Sequence, residues 1–243
     1  LVSSDSAWYL ASRDYIKPGE KPLGYGTSYK GCPDSCGFCP EHQQHACLPV
    51  IEILDRCDMN CPICLKNFDG GFEFSMKDFK RALGGVLKTE RACQVVNFSG
   101  GEPTLHPLLE DFLRYASGNG VLQTTVSTNG LRLLAEPGLR RLFKETGAIA
   151  ALQFDGFTRR AWGFLRGEPG LLEKKLALIK LLEAEGVRYS LVATVAKGVN
   201  DGEIGRITDF FFRSRALTLM FQPLSFTGRA SALDEEKLRL TIP

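Results

Sequence analysis

The chain lacks most of the features that would place it in a membrane, on nucleic acid or in an oxidising compartment. No apolar run approaches the roughly 20 residues that span a bilayer, and the N-terminus has no charged-then-apolar secretion pattern. Neither sign of charge dominates: 30 Lys and Arg stand against 28 Asp and Glu, a net charge of +2. There is no basic stripe of the kind that neutralises a phosphate backbone, so nucleic acid is not expected as a partner. These absences lead us to expect a soluble, cytoplasmic protein with no transmembrane segment, and they leave peripheral membrane contact open. The 243 residues, 44% hydrophobic, suit one sizeable globular domain with a small appendage. The chain starts at Leu1 and stops at "LRLTIP", so it is expected to be a piece of a longer polypeptide.

Cysteine is scarce outside one region. Seven of the eight cysteines fall between Cys32 and Cys64, and only Cys93 stands apart. Disulfide scaffolds are usually smaller and spread their cysteines, so without a secretion signal this clustering favours metal. Cys93 reads as a small buried hydrophobe.

From residue 50 onward, apolar runs alternate with amphipathic helical patterns. Strands are expected at 50–55, 94–99, 122–128, 148–155, 188–195 and 217–226, each short enough for a buried parallel strand. Helices are expected over "MKDFKRALGGVLK", with Ser75 and Asp78 as a capping box, and over "PLLEDFLRYA", "GLRRLFKET", "LLEKKLALIKLLEAEG" and "GEIGRITDFFFRS". Six strands with five intervening helices make an α/β fold of repeated βαβ units. A complete eight-unit barrel takes about 250 residues. The sheet is therefore expected to be either a partial (β/α)6 TIM-like barrel or a doubly wound sheet. Residues 1–49 are expected to form a loop-rich, metal-binding N-terminal extension, 50–230 the core, and 231–243 the start of a further region.

In both architectures ligands bind at the carboxyl ends of the strands. Those ends carry "DRCDMNCPIC", "SGGEPT", "STNG", "DGF", "AKGVN" and "SFTGR". The first holds Cys57, Cys61 and Cys64 at spacings of four and three. A closed zinc site needs four ligands and usually pairs two Cys-x2-Cys knuckles, of which this loop has one. A cubane 4Fe–4S cluster takes one thiolate per iron, and three thiolates leave the fourth iron open to a ligand. Zinc completed by a distant residue remains the alternative.

Cys57, Cys61 and Cys64 after the first strand, with Gly100, Gly101, Glu102 and Pro103 after the second, resemble the radical S-adenosylmethionine (SAM) superfamily. The resemblance implies that SAM chelates the unique iron, and that an electron from the cluster cleaves a carbon–sulfur bond to give a 5′-deoxyadenosyl radical. It implies an electron donor such as ferredoxin or flavodoxin. Gly100 and Gly101 would let the backbone approach the methionine moiety, and Glu102 would accept from its ammonium. Many members carry an aromatic residue before the third cysteine; here Ile63 would cover the adenine. Ser127, Thr128 and Asn129 are candidates for ribose or carboxylate, Asp155 for ribose or substrate, and Arg166 for the SAM carboxylate, each with turn capping as the plainer alternative. Asn200 and Gln222 are weaker candidates.

Cys32, Cys36, Cys39 and Cys47 in "GCPDSCGFCPEHQQHAC" offer a closed set, an auxiliary 4Fe–4S cluster or a zinc site, with His42 and His45 alongside. This segment and "FQPLSFTGR" resemble the radical SAM subgroup that includes tetraether lipid synthases and proteins long described as pterin methyltransferases. The resemblance spans roughly residues 22–230. It implies an enzyme acting at an unactivated carbon, either coupling lipid chains or methylating a pterin or other small molecule. A noncatalytic iron–sulfur electron carrier and a zinc-organised interaction module are the readings from other classes. The 16 phenylalanines could line a lipid channel but are more often core.

Overall fold

The computed structural model describes residues 48–66, 71–90 and 95–240. The four cysteines Cys32, Cys36, Cys39 and Cys47, with His42 and His45, lie outside the described residues, as does Cys93.

Six strands run in chain order: β1 Val50–Leu54, β2 Val95–Gly100, β3 Gln123–Thr128, β4 Ile149–Gln153, β5 Tyr189–Val195 and β6 Leu219–Pro223. Between and after them lie α1 Met76–Glu90, α2 Leu109–Gly118, α3 Leu131–Ala135, α4 Pro137–Thr146, α5 Arg159–Arg166, α6 Leu171–Glu185, α7 Ile204–Arg213 and α8 Glu235–Leu238. Every pairing is parallel, and spatial order follows chain order from β1 to β6. A doubly wound sheet reverses its order at a switch point. None occurs here, so the sheet is an open, partial TIM-like barrel.

The two faces of the sheet differ sharply. Burial alternates along the strands, most plainly in β3, because side chains of successive residues point to opposite faces. The convex face holds Ile53, Val96, Phe98, Val126, Leu152, Phe154 and Leu191, which pack with helix residues such as Leu83, Leu142 and Leu178 in one apolar core. Phe79 of α1 stacks on Phe112 of α2 at 4.1 Å and meets Phe98 edge-on at 5.3 Å. Each such buried side chain contributes about 1.5–3 kcal/mol. The opposite face is polar: Asn97, Thr125 and Ser127 hydrogen-bond one another there across β2 and β3 at 3.0–3.2 Å.

Three helices are absent from the sequence reading, α3, α5 and the four-residue α8. Helix α5 is short, and "RRAWGFLR" offers only Ala161, Trp162 and Leu165 as an apolar stripe, too few for the period to stand out. It is fixed by its ends instead: the Thr158 hydroxyl accepts from Ala161 N–H, and Gly167 closes the helix at φ 79°. Helix α3 spans only five residues. Residues 231–240 lie against the core: Leu233 and Leu238 pack on a second apolar cluster, and the Lys197 N–H donates to the Leu238 carbonyl at 3.0 Å. Among the described residues no helix is long and apolar enough to cross a membrane.

Candidate active site

The loop after β1 carries the three thiols. Cys61 is buried, while Cys57 and Cys64 are partly exposed. Ile63 anchors the loop: it is only 4% exposed, in a cluster with Leu165, Ala196, Leu224 and Ala230. Its side chain is thus packed into the core beneath the loop. The "FTGR" segment straps the far end, with the Arg229 N–H donating to the Cys64 carbonyl at 2.9 Å. Gly228 sits at φ +57°, and a Cβ there would come within 2.3 Å of the Leu65 backbone. This close approach gives "FTGR" a local role in holding the third cysteine.

The two glycines of "GGEP" face the same loop. Gly101 N–H donates to the Leu54 carbonyl at 2.8 Å and Glu102 N–H to the Arg56 carbonyl at 2.7 Å. A Cβ on Gly100 (φ +129°) would lie 2.1 Å from the Leu54 oxygen, and one on Gly101 would lie 2.0 Å from the Arg56 oxygen. The backbone that they bring close is therefore that of the cysteine loop itself. Because a backbone oxygen cannot rotate away, Gly101→Ala is expected to cost about 3 kcal/mol or more. That corresponds to a fall in melting temperature of roughly 6–12 °C for a chain of this size, measurable by calorimetry.

Glu102 is 1% exposed, and its carboxylate holds two turns together. Oε1 accepts from Thr104 N–H (3.1 Å), Thr104 Oγ1 (2.6 Å) and Thr128 Oγ1 (2.7 Å), while Oε2 accepts from Asn129 N–H at 2.7 Å. Burial pushes its pKa up, and these four bonds oppose that rise. Asn129 extends the lacing, its side-chain amide donating to Asp58 Oδ1 at 2.6 Å and its Oδ1 accepting from Leu131 N–H at 2.8 Å. Glu102 and Asn129 thus tie the ends of β2 and β3 to the cysteine loop. Ser127, the neighbour of Thr128 in "STNG", lies in the polar network with Asn97.

Asp155 and Arg166 are turned toward each other. Arg166 Nε donates to Asp155 Oδ2 at 2.6 Å and Nη2 to Oδ1 at 3.0 Å, and both residues are buried. Nη2 also reaches Thr194 Oγ1 at 3.0 Å, and the Thr194 N–H donates to Asp155 Oδ1 at 2.8 Å. Asn200 braces the loop, donating to the Asp155 and Thr194 carbonyls at 2.8 Å and accepting from Ala196 N–H. Burial works against the Arg166 charge, but Asp155 and Cys61 more than offset it and keep its pKa raised. Gln222 stands on the exposed edge strand and donates to Met220 Sδ at 3.2 Å.

Sequence reading missed Lys175. Its ammonium, 1% exposed, donates to the Asn129 carbonyl and lies 5.7 Å from the Trp162 ring. Burial, reinforced by the Arg166 charge, pushes its pKa down to about 8. The signal was present: Leu171, Lys175, Leu178 and Leu182 share the buried stripe of α6 at helical spacing.

Burial pushes the Cys57 thiol up to about 11, opposed by a 3.4 Å hydrogen bond from Met59 N–H. Burial also raises Cys61, with Arg166 pulling the other way. Metal binding here must displace thiol protons. Beside the loop lies a cavity of about 550 Å³ lined by Arg56, Cys57, Asp58, Asn60, Leu105 and Arg229, among others; this falls in the range of small-molecule sites. Among the described residues no group of three or more His, Cys, Asp or Glu is gathered for a single ion. A cubane needs no such convergence, because each thiolate takes its own iron. The donor set, three soft thiols on one short loop of which Cys57 lines the cavity, fits a 4Fe–4S cluster.

Thiols at the carboxyl end of the first strand of an open parallel barrel, laced to a double-glycine turn on the second, define an iron–sulfur barrel enzyme. The sequence profile of the radical SAM superfamily matches residues 51–211. The chain belongs to this superfamily, whose members use a 4Fe–4S cluster and SAM. It is 36% identical over 223 residues to a 7,8-dihydro-6-hydroxymethylpterin dimethyltransferase of Methanocaldococcus jannaschii, covering 88% of this chain and 43% of the relative. It is 28% identical over 198 residues to an Fe-coproporphyrin III synthase of Methanosarcina barkeri, covering 79% and 48%. The chain thus spans less than half the length of these curated relatives. Among solved structures, Streptococcus suis SuiB bound to the precursor peptide SuiA superposes with a TM-score of 0.64 at 20% identity, over 75% of this chain and 40% of SuiB. The likeness to SuiB bears on the fold.

Proposed function

We propose that the chain is the core of a radical SAM enzyme in which Cys57, Cys61 and Cys64 hold a 4Fe–4S cluster and SAM binds beside "GGEP". The observation that carries this reading is the lacing of the three-thiol loop to Gly101, Glu102 and Asn129, which fixes three strand ends as one unit. Held by these three thiols, a cluster would supply the one-electron reduction that makes SAM a source of a carbon radical. The protein's own contribution is positional. Ile63 and the Gly228–Arg229 strap hold the loop down, and the glycine pair lets the second strand end close on it. Glu102 Oε2 takes one internal donor, which leaves it a lone pair for an ammonium. The reaction carried out is bond formation at an unactivated carbon. Coupling of lipid chains follows from the subgroup that the motifs resemble. Methyl transfer to a pterin or other small molecule is the alternative, supported by the name of the M. jannaschii relative. Cys32, Cys36, Cys39 and Cys47 complete the proposal as an auxiliary cluster or zinc site, and ferredoxin or flavodoxin as electron donor.

The test is anaerobic reconstitution with iron and sulfide, followed by iron quantitation, electron paramagnetic resonance with and without SAM, and assay of 5′-deoxyadenosine. About eight irons, with one signal perturbed by SAM, support two clusters; about four with a SAM-sensitive signal retain the catalytic site alone. Full iron content with no SAM response and no 5′-deoxyadenosine would leave an electron carrier and sink the proposal.

A further inference from the structure

The concave face of the sheet forms a trough below the thiol loop and the "GGEP" turn. Side chains alternate between the faces of a strand. Leu152 and Leu191 point into the convex core, so Ala151, Gln153, Val192 and Thr194 turn to the concave side, where all four are partly exposed. Register sets Ser127 opposite Ala151, and Gln153 opposite Val192, which in turn faces Met220. Gln153 therefore stands mid-sheet, one same-face step nearer the carboxyl ends than Ser127, with apolar neighbours beside it. From β2 to β6 the described strand positions on this face carry amides, hydroxyls and small or apolar groups, with no charge among them. At the β1 edge Glu52 is paired with Lys66, and above the trough Asp155 is paired with Arg166. Such a surface holds no spare cation for a phosphate or carboxylate. The Asn97 amide is spent: its Oδ1 accepts from Thr125 and Ser127, and its Nδ2 donates to Ser127. Gln153 differs, because its Oε1 is shut off from solvent and has no hydrogen-bond partner among the described residues. Folded proteins rarely leave a buried polar atom in that state. The terminal torsion of glutamine is broad, so the amide can turn to present its donor and its acceptor side by side.

The geometry points to a substrate site: this trough, with the Gln153 amide at its centre, binds a small uncharged planar heterocycle by a lactam edge, the adjacent N–H and C=O that pterins and guanine share. The inference rests on the radical SAM reading above and narrows it, taking the small polar molecule over the lipid chain as substrate. A carboxamide meets a lactam with two parallel bonds, donating its N–H to the ring carbonyl and accepting from the ring N–H. Val192 and Met220 on the same rung offer apolar contact to the flat ring. A polymethylene chain would cover Gln153 without giving it a partner, which costs free energy. Sites built on such bonds discriminate strongly against ligands that lack them.

The experiment is equilibrium dialysis of the reconstituted chain, without SAM, against 6-hydroxymethylpterin, guanosine and a pyrene-labelled hexadecanoate, for wild type, Gln153→Met and Gln153→Asn. Wild type is expected to bind at least one of the two heterocycles and to bind it more tightly than the acyl chain. Gln153→Met keeps the length of the side chain and removes both polar groups, so heterocycle binding should weaken about tenfold to a hundredfold, the worth of one or two neutral hydrogen bonds. The same change removes the unpartnered buried oxygen, so the melting temperature should not fall. A glutamine that served only the fold would show the reverse, lower stability with binding unchanged. Gln153→Asn keeps the amide one methylene shorter and should retain part of the affinity. Equal heterocycle affinity in wild type and Gln153→Met would overturn the inference. So would tighter binding of the acyl chain than of either heterocycle, or binding of neither heterocycle by wild type. The response of the cluster signal to SAM is read on separate samples: its failure would strike the radical SAM reading, whereas failure of dialysis alone would strike the substrate class.

Discussion

Cys61→Ala is expected to abolish SAM cleavage while leaving the barrel folded. The loop would lose the one buried thiol of its three, and a cubane with only two protein thiolates is not held. Formation of 5′-deoxyadenosine should fall below one thousandth of wild type, about 4 kcal/mol in barrier at 1.36 kcal/mol per tenfold. The iron bound by this loop should be lost with it. The loop's other anchors are untouched, since Ile63 remains in its cluster and Arg229 N–H on the Cys64 carbonyl. Circular dichroism of the metal-free variant should therefore match that of the metal-free wild type. Cys57→Ala and Cys64→Ala are expected to give the same loss, because thiolates that hold one object act as a unit and their effects do not add. A Cys61→Ala protein that still produced 5′-deoxyadenosine would place the reaction elsewhere in the chain.

Glu102→Ala is expected to be the most damaging single change to stability. It would strand Thr104 N–H, Thr104 Oγ1, Thr128 Oγ1 and Asn129 N–H in a site with almost no access to water. Each buried donor left without a partner costs about 1–3 kcal/mol, so a total loss of about 4 kcal/mol or more is expected, a large fraction of a typical domain's stability. Glu102→Gln keeps the shape and one acceptor oxygen but points an amide group at donors. It should fall between wild type and alanine in urea denaturation, at about 1–3 kcal/mol. If Glu102→Ala unfolded at the wild-type urea midpoint, the carboxylate would not be the tie between the second and third strand ends.

The strands were legible because a buried parallel sheet needs apolar, β-branched runs, and "QVVNFS" and "LQTTVST" supply them. Their ends were less so. The expected fourth strand ran to Asp155, yet β4 closes at Gln153, and the Thr194 N–H of the neighbouring strand donates to the Asp155 side chain. The sixth strand was expected to reach Phe226 and ends at Pro223 on the open edge. Partial barrel and doubly wound sheet could not be told apart from periodicity, since both repeat βαβ units; only strand order separates them. The cysteine loop and "GGEP" stood out by spacing. What could not be read was which partners the polar groups take. Asp155 and Arg166 were both flagged for ligand contacts, eleven positions apart, and nothing in the pattern said that they would meet each other. Lys175 was not singled out beside the leucines of its helix, and its neighbour Lys174 is exposed and paired with Glu168.

Strand order that follows chain order also sets a timetable for biosynthesis. Each strand has its partner immediately before it, so the sheet can grow outward from β1 as the polypeptide leaves the ribosome. The thiols of the first loop then emerge about a hundred residues ahead of Arg166, and further still ahead of the Gly228–Arg229 strap. At the usual 5–20 residues per second, that is a delay of roughly 5–20 s before the buried cation arrives. During this interval the loop is open to iron delivery and equally open to oxidation. The enclosure that protects the thiols is thus completed late in synthesis.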